Sequence, residues 1–469
     1  MSGWHSGECW IGRDAMSDVT LDGLARWNQR IEAVAHEEGL DFFDTEFEIC
    51  SYEEMLGYEA YLGMPSHYPH WSYGKAFDRL HTLYRYNLSG LPYEMVINSN
   101  PCLAYLMRDN SLLLQILTMA HVYGHNDFFK NNRMFQGTRP ELVRETFKNH
   151  ADRIRGYIQD PTIGYAGVER ILDAAHALRY QCNRSLSQKP LSREAQKQKL
   201  KDAYESRLAK ESDPEARRKI EPPDLTRIPL EPEPDLLGFI LEYGELSEWE
   251  KDVLQIVRSE TAYFVPQIET KILNEGWASY WHYRILNRLE LPPEMHWEFL
   301  KYHHQVIRPL FGGLNPYHLG FTVLMDVERR YGREKLFEVR SLENDRSLIR
   351  RYLTRELCQE LHLFEYLVEE ERAVVTEIAD EKGWEKIRDT LSLTVGLGSV
   401  PVIEVIDMVK KEKCLILRHE YDGRELDFHS ACETLKYLVE LWGGPVVLHT
   451  YMDGSEKKIQ CDESKRVTV

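Results

Sequence analysis

Several features that mark large protein classes are scarce in this sequence. Its 8 cysteines are spread over 469 residues without a single CxxC pair, which argues against a cysteine-ligated zinc site and is typical of free thiols in a reducing compartment. Only 28 glycines and 20 prolines are present, so collagen-like and low-complexity chains are excluded. No apolar run approaches the roughly 18 residues of a membrane-spanning helix, so we expect no membrane insertion.

Positive charge is also scarce. The 58 lysines and arginines are outnumbered by 76 aspartates and glutamates, and the net charge is -18. Phosphate backbones require clustered positive charge, so general nucleic-acid binding is disfavoured, although a local basic patch stays open. The first residues, MSGWHSGECWIGRDAMSD, include acidic side chains and no apolar core, unlike a secretory signal. We therefore expect a cytoplasmic protein.

Apolar side chains are abundant enough for the cores of two or three domains, since hydrophobic residues make up 43% of the chain and aromatic residues 11%. Their spacing predicts mostly helix, with a possible strand at Glu94–Asn98. The predicted helices cover residues 24–39, 51–63, 74–87, 111–129, 140–158 and 167–181. Helices are predicted to resume at a capping box formed by Ser247 and Glu250 and to continue from Pro266, as a first-turn residue, to 289, and more helix follows to about Ile387.

Composition and period change twice along the chain. Residues 187–235 are rich in charged residues and proline, so they are predicted to be a linker or solvated excursion with one charged helix inside it. The tail alternates as strands do at 402–409, 414–420, 446–451 and 457–461, around a helix from Asp427 to Trp442. The predicted fold is α+β and mostly α-helical, and its parts are an N-terminal extension (1–23), a helical part (24–186), the linker or excursion (187–235), a second helical part packed with the first (236–394), and a small C-terminal α/β module (395–469).

The sharpest local feature is a pair of histidines in the predicted helix 111–129. His121 and His125 are four residues apart, so both imidazoles leave one helix face and can share a metal ion. Spacing alone is weak evidence, because 18 histidines in this length give roughly 0.7 such pairs by chance. The helix is apolar on nearly every side, however, and two imidazoles buried side by side must avoid both becoming charged. A shared metal ion meets this requirement; two neutral, hydrogen-bonded histidines are the alternative.

A buried carboxylate is predicted in the motif NEGWA at 274–278. The helical stripe through Glu275 is apolar at both ends and polar in its middle, so the side chain should point into a core. A buried carboxylate costs several kcal/mol unless it is paired or bound to a metal. The alternative to a metal is a buried ion pair with an arginine from another helix.

Together, His121, His125 and Glu275 form the His₂Glu ligand set of one class of zinc hydrolases, in which a fourth position is left for water. We therefore predict a zincin-like main domain that holds zinc or another divalent metal. The usual general base is missing, because Val122 and Gly124 stand where the two forms of the motif carry glutamate.

Other residues must then supply the base. His282 lies about 10 Å along the helix from Glu275, too far to ligate the same ion easily. It is better placed to support a ligand or to contact the substrate, and it is the first candidate for the base. His70 is the second candidate, and an unidentified carboxylate is the third.

Two further features carry predictions. His303 and His304 are adjacent, so on a helix they face different ways and one of them should be solvated. Asn315 to His318 is predicted to be a loop-to-helix cap, in which His318 is a candidate fourth ligand.

Longer motifs resemble the SpoVR family, stage V sporulation protein R and its relatives, from about Leu24 to the C-terminus. The resemblance implies a link to the spore cortex, a peptidoglycan layer, and to cell-wall or stress physiology. It also implies a PrkA-type serine kinase and a von Willebrand A-domain protein as partners, but it names no reaction. The motifs are GMP at 63–65, HWSYGK at 70–75, VINS at 96–99, HVYGHNDFFKNN at 121–132, NEGWA at 274–278 and NPYHLG at 315–320.

Three hypotheses follow for the function. The first is a cytoplasmic, zinc-dependent hydrolase of amide or peptide bonds, in a cell-wall precursor or a protein. The second is a catalytically inactive regulatory or assembly protein that keeps a zincin-like scaffold without the base. The third is a metal-free structural role or an enzyme that uses other residues.

Overall fold

Helices make up most of the structure, which is α+β with a small sheet-containing C-terminal region. The structure is a computed structural model that describes residues 20–85, 94–182, 191–310, 313–369 and 372–469. Most of the predicted N-terminal extension, 1–23, and the predicted end of the helix 74–87 lie outside these residues. Among the described helices, none combines the length and the apolar character that a bilayer crossing requires.

The helices begin and end at the following residues: α1 (Leu21–Glu37), α2 (Tyr52–Ala60), α3 (Trp71–Arg85), α4 (Leu112–Asn131), α5 (Val143–Gln159), α6 (Gly164–Leu178), α7 (Arg193–Lys210), α8 (Pro214–Arg218), α9 (Leu236–Tyr243), α10 (Glu248–Glu269), α11 (Lys271–Arg288), α12 (Pro293–Val306), α13 (Pro316–Tyr331), α14 (Arg333–Leu342), α15 (Asp345–Tyr352), α16 (Arg355–Glu360), α17 (Gly383–Thr394) and α18 (Phe428–Trp442). The strands are β1 (Thr45–Cys50), β2 (Glu94–Ile97), β3 (Cys102–Met107), β4 (Phe364–Glu369), β5 (Arg372–Ile378), β6 (Ile403–Val409), β7 (Cys414–His419), β8 (Val446–Met452), β9 (Ser455–Cys461) and β10 (Val467–Thr468). Short 3₁₀ turns cover Arg133–Gly137 and Gly396–Ser399.

The chain divides into two compact units. The first runs to Asp152 and resumes from Phe264 to Ser399, and the second joins Arg153–Tyr263 to Val400–Val469. This division differs from the predicted organisation, in which 24–186 and 236–394 form two helical parts and 395–469 stands alone. In the second unit, α6 packs against α18, and the backbones of Glu233 and Val405 pair in both directions at 3.0 and 2.8 Å. Long-range contacts of this kind cannot be recognised from the amino-acid composition, on which the predicted boundaries were based.

The first unit contains a three-stranded sheet of order β1-β3-β2. β1 pairs with β3 in parallel, and β2 pairs with β3 antiparallel, with Glu94 opposite Leu106. β3 reads CLAYLM and is buried along almost its whole length, as expected for a central strand. The edge strand β2 therefore places Glu94, its first residue, at one end of this sheet.

The core of the first unit surrounds α4, which is buried on nearly all sides, as its sequence predicts. Ser111 caps the helix by accepting the backbone N–H of Leu114 at 3.3 Å. The main neighbours of α4 are α11 and α1, and α11 also packs on α13. A helix that is buried on nearly every face needs partners on several faces to remove its surface from water.

The second unit confirms the alternation predicted for the tail. Its five-stranded sheet has the order β10-β9-β8-β7-β6, and β7 pairs with β8 in parallel because α18 connects them. Asp427 caps α18 by accepting the backbone N–H of Ser430 at 2.8 Å. The charged stretch predicted at 187–235 contains α7, in which no residue is buried.

Two predictions of helix are wrong. Residues 364–369 and 372–378, predicted to be helical, form the antiparallel strand pair β4 and β5. Pro266 does not open a helix; it lies inside α10, and the next helix begins at Lys271. The break between the two helices is at Thr270, whose hydroxyl donates to the backbone carbonyl of Pro266 at 2.7 Å.

Candidate metal centre

Two glycine contacts bring three helices of the first unit together, backbone against backbone. A Cβ on Gly124 of α4 would lie 2.6 Å from the Cα of Ala278 on α11. A Cβ on Gly276 of α11 would lie 2.4 Å from the carbonyl carbon of Gly320 on α13. Real Cβ atoms do not approach so closely, so each crossing requires glycine. Side chains that flank these contacts are therefore driven towards the same small volume.

A buried acid fixes the register of α4 against α11. Asp127 is fully buried and accepts hydrogen bonds from Trp277 Nε1 at 2.8 Å and from Arg340 Nη1 at 2.7 Å. It also accepts the backbone N–H of Asp41 at 2.8 Å. Burial raises the pKa of Asp127 to about 6, although Arg340 and the other donors oppose the shift. This carboxylate points away from the histidine face, as its position in the helix predicts.

The start of α11 is held by a second buried acid. Asp345 accepts the backbone N–H groups of Ile272 and Leu273 at 2.8 and 2.9 Å. Thr270, the residue before the helix, provides no side-chain cap, so Asp345 satisfies donors that a helix end leaves unpaired. Burial raises the pKa of Asp345 to about 7, although the two backbone donors oppose the shift.

The structure brings His121, His125 and Glu275 together. Oε2 of Glu275 lies 3.7 Å from Nε2 of His121 and 3.5 Å from Nε2 of His125. Both histidines are buried, and the side chain of Glu275 is 18% exposed. Within the described residues, the ion-pair partners of Glu275 are these two imidazoles, and not the arginine of the alternative interpretation.

A fourth residue, Glu94, joins the three from the edge strand β2. Its Oε1 lies 3.8 Å from Nε2 of His121. The donor atoms of Glu94, His121 and His125 all lie within 4.8 Å of one another, so these residues form a possible metal-binding group. Sequence analysis missed Glu94, because a glutamate at the start of a short strand has no spacing relation to a histidine pair on a later helix.

The two carboxylates have opposite pKa shifts. Burial would raise the pKa of Glu275, but the imidazoles of His121 and His125 face it and bring its pKa well below the ordinary value. Burial raises the pKa of Glu94, and the attraction of the same two imidazoles only partly offsets it. One carboxylate is therefore held ionised, while the other takes up a proton more readily than an exposed glutamate.

The ring nitrogens that face away from the cluster have partners of their own. Nδ1 of His125 is 2.9 Å from Oδ1 of Asn274, so it donates to the amide oxygen, and in the neutral ring Nε2 then carries the lone pair. Nδ1 of His121 is 2.9 Å from Nδ1 of His282. In metalloproteins, hydrogen bonds of this kind orient a ligating histidine and fix its tautomer. Both Nε2 atoms are thus directed towards Glu275 as metal ligands would be.

His282 lies behind His121, in line with the prediction that it does not ligate the same ion as Glu275. Its Nε2 is 2.8 Å from Nδ1 of His303. Burial lowers the pKa of His282 well below its ordinary value and lowers the pKa of His303 to about 4, so both rings are neutral near pH 7. His303 is buried and its neighbour His304 is exposed, as the sequence predicts for adjacent residues on a helix.

Three other residues complete the surroundings. Tyr317 stacks on His121 with ring centroids 6.1 Å apart, and the negative charge of Glu275 raises the pKa of its phenol well above the ordinary value. Asn315 caps α13, as predicted, by accepting the backbone N–H of Tyr317 at 3.0 Å. His318 is half-buried and is not part of the metal-binding group found among the described residues.

His70 is placed by local contacts. Its Nδ1 is 2.7 Å from Oγ of Ser72, and its ring lies against Trp71 and Tyr73 with centroids 5.4 and 6.0 Å apart. These contacts anchor the ring at the start of α3, and none of them joins it to the four clustered side chains.

The distances fit a single cation. Ligand atoms about 2.0–2.2 Å from one tetrahedral zinc ion lie about 3.3–3.6 Å apart, and the nitrogen–oxygen distances here are 3.5–3.8 Å. Nε2 of His121 and Oε2 of Glu275 are buried without a hydrogen-bond partner in the described part of the chain. Buried polar atoms of this kind are costly unless something binds them. The donor set of imidazole nitrogens and carboxylate oxygens suits zinc, and also iron or manganese.

Comparisons with known proteins cover nearly the whole chain. A family model described as "SpoVR like protein" matches residues 18–400, and one described as "SpoVR-like C-terminal domain" matches residues 401–453. The chain is 33% identical over 477 residues to "Uncharacterized protein YcgB" of Escherichia coli (strain K12), which covers 92% of this chain and 92% of that protein. No solved structure matches the chain. The border between the two family models falls where the tail of the second compact unit begins.

Proposed function

The chain belongs to the SpoVR family, and we propose that it is a metal-dependent hydrolase of amide or peptide bonds, with zinc held by His121, His125 and Glu275. The observation that carries the proposal is the convergence of two Nε2 atoms on one ionised carboxylate oxygen, at 3.7 and 3.5 Å. Two histidines one helical turn apart and a glutamate on a later helix are also the basis for describing the main domain as zincin-like.

The ligands are supported on their far sides, which is what a metal site requires. Asn274 engages Nδ1 of His125 and His282 engages Nδ1 of His121, each at 2.9 Å. A bound zinc ion would supply a water molecule of lowered pKa and polarise the carbonyl group of the substrate. The role of the three ligands is to hold that ion with one position open.

Glu94 is the residue that we propose as the general base. Its carboxylate borders the same volume as the ligands, 3.8 Å from His121, and its raised pKa suits a group that must both take and return a proton near neutral pH. Oε1 of Glu94 takes the proton of the attacking water and returns it to the amine nitrogen that leaves. Opposite pKa shifts in two neighbouring carboxylates are the pattern expected when one binds and the other moves protons.

His282 and His70, the candidates from sequence, fit this role less well. Both ring nitrogens of His282 are engaged, one by His121 and one by His303, so His282 positions a ligand and does not face a substrate. The described contacts of His70 are with Trp71, Ser72 and Tyr73 at the start of α3.

The substrate and the partners follow from family membership alone. We propose a peptide or amide bond of a cell-wall precursor, linked to the spore cortex or to stress physiology, and a cytoplasmic location. A PrkA-type serine kinase and a von Willebrand A-domain protein are the proposed partners.

A second function is favoured by one specific observation: Glu94 forms a possible metal-binding group with His121 and His125, the two histidines that Glu275 also approaches, so Glu94 is a candidate for the fourth ligand. Four protein ligands close a tetrahedral zinc site, and closed sites are structural. The protein would then be a regulatory or assembly protein that uses the metal for its fold.

Four single substitutions test these functions, and Glu94→Gln is the one that separates them. The assay is zinc content per chain, followed by turnover of peptide and muropeptide libraries. His121→Ala and Glu275→Gln should lose most of the metal under both functions, while His304→Ala, an exposed neighbour of the cluster's helices, should retain it. Glu94→Gln should retain the metal and lose turnover by about 10²–10⁴-fold if Glu94 is the base.

Other outcomes would contradict the proposal. Loss of metal in Glu94→Gln, together with no turnover by the wild type, would favour the closed site. Wild-type protein that carries no metal after growth in zinc- and iron-replete medium would remove both functions.

A further inference from the structure

We infer that His121, His282 and His303 form a hydrogen-bonded relay that fixes which ring nitrogen of His121 carries its proton, and that His303 is thereby a positioning residue for the metal site. The three residues lie on α4, α11 and α12. The inference rests on the proposed function, because the nitrogen left unprotonated is the one that would bind the cation.

The geometry leaves little freedom in this relay. The two nitrogen–nitrogen distances are 2.9 and 2.8 Å, so each contact must contain one proton and one lone pair. All three rings are at most 3% exposed, so water is not available as a substitute partner. Each ring therefore donates on one side and accepts on the other.

With all three rings neutral, only two arrangements satisfy both contacts. In the first, Nδ1 of His121 donates to His282, and Nε2 of His282 donates to His303. In the second, the protons run the other way, and Nε2 of His121 carries a proton that points at Glu275. A cation needs the lone pair of Nε2, so the first arrangement is the one that binds metal.

The far end of the relay is held by packing. The ring of His303 lies against Tyr283 and Phe321, with centroids 4.7 and 5.1 Å apart. These aromatic rings keep the imidazole in place, with Nδ1 directed at His282. Metal binding at His121 and the tautomer of His303 are therefore coupled through two hydrogen bonds, although His303 touches no proposed ligand.

Nuclear magnetic resonance of ring-¹⁵N-labelled histidines tests the relay without any change to the fold. The wild-type protein is loaded with zinc, and the signals of His282 and His303 are assigned by their loss in His282→Gln and His303→Asn. The expected result is a neutral ring with its proton on Nε2 at both positions. A proton on Nδ1 of His303, or a doubly protonated His282, would overturn the inference.

Zinc affinity, measured by competition with a chelating indicator, tests the positioning role. His303→Leu removes the acceptor for His282 and should weaken binding by about 10-fold, the lower end of the 10- to 100-fold typical of outer hydrogen-bond partners. His303→Asn keeps an oxygen acceptor near the position of Nδ1 and should restore most of the affinity. His304→Ala, the exposed neighbour on the same helix, should bind zinc as the wild type does.

The outcomes separate this inference from the proposed function. If the wild type binds zinc and His121→Ala does not, but His303→Leu binds as tightly as the wild type, the relay is wrong and the metal site stands. If the wild type binds no zinc, the metal site is wrong, and the relay with it. Circular dichroism verifies that each variant is folded, and if His303→Leu is not, the wild-type resonance measurement decides.

Discussion

Replacing Gly124 with alanine should damage stability and metal binding together. The added Cβ would lie 2.6 Å from the Cα of Ala278, whereas carbon atoms in contact are about 3.5–4.0 Å apart. Both atoms belong to helix backbones, so neither can turn aside, and α4 and α11 must separate by about 1 Å. Overpacking of this kind costs about 1–3 kcal/mol, which exceeds the gain of about 1 kcal/mol from removing a helical glycine.

The same separation of α4 and α11 should also widen the proposed metal site. His121 and His125 are on α4 and Glu275 is on α11, so their nitrogen–oxygen distances of 3.7 and 3.5 Å would grow by a similar amount. Ligands of one zinc ion lie about 3.3–3.6 Å apart, and a site held about 1 Å too loosely loses affinity. We expect zinc binding to weaken by about 10- to 100-fold, as when the support of a ligand is removed.

Chemical unfolding and zinc competition measure the two effects, with Gly74→Ala as the matched control. Gly74 lies in the helix α3 of the same compact unit, and a Cβ there would meet nothing within 4 Å. The control should be as stable as the wild type or more stable by up to about 1 kcal/mol, and should bind zinc normally. If Gly124→Ala behaves like Gly74→Ala in both assays, the close crossing of α4 and α11 is wrong.

Three further changes test other parts of the first unit. Arg340→Met leaves Asp127 buried without its cation and should lower the unfolding free energy by about 3–5 kcal/mol. Arg329→Met changes a side chain that is 72% exposed and should lower it by less than about 1 kcal/mol. Equal effects of the two substitutions would contradict the buried network. The folded state raises the pKa of Asp345 from 3.8 to about 7, so it binds this proton more tightly than the unfolded chain, and the contribution of Asp345 to stability falls as the pH rises between those values. Asp345→Asn lacks that proton, so its unfolding free energy relative to the wild type should rise between pH 5 and 7 by up to about 1.4 kcal/mol per pH unit; a constant difference would refute the shift. Removal of zinc with a chelator should lower the unfolding free energy by about 2.7 kcal/mol relative to protein in zinc at 100 times its dissociation constant. The chelator should not change the unfolding free energy of His121→Ala.

Local periodicity was sufficient to predict the helices and strands whose apolar residues follow a regular pattern of their own. The strands and helix of the tail could be predicted because each has a regular pattern and a turn or cap at its end, such as Asp427 before α18. The strand β3 could not, because a short run of buried apolar residues has the same pattern as a buried helix. The hairpin β4–β5 lacks the two-residue turn signals that distinguish a hairpin in sequence.

The residues of the candidate site likewise differ in whether the sequence could predict them. His121 and His125 could be predicted as a pair because one helix sets their distance, and Glu275 because burial of a carboxylate demands a partner. Glu94 and His303 reach the site from β2 and α12, and their approach depends on how separate elements pack. No spacing rule along the chain contains that information. Whether the four side chains bind a metal stays a prediction.

The missing glutamate of the histidine motif also has a structural explanation, and this bears on the choice between an enzyme and an inactive scaffold. Position 124 lies under the Cα of Ala278 and admits no side chain, and Val122 is fully buried in the core. Neither position could present a carboxylate to the site while α4 and α11 cross as they do. The helix packing is thus sufficient to explain the absence of glutamate there, and that absence alone does not indicate that a base was lost. Under the proposed function a base would come from another element, and the donor atoms of Glu94, on β2, and of the two histidines lie within 4.8 Å of one another. Val122→Glu in a Glu94→Gln background should therefore fail to restore turnover, because it would bury a carboxylate away from the metal ligands.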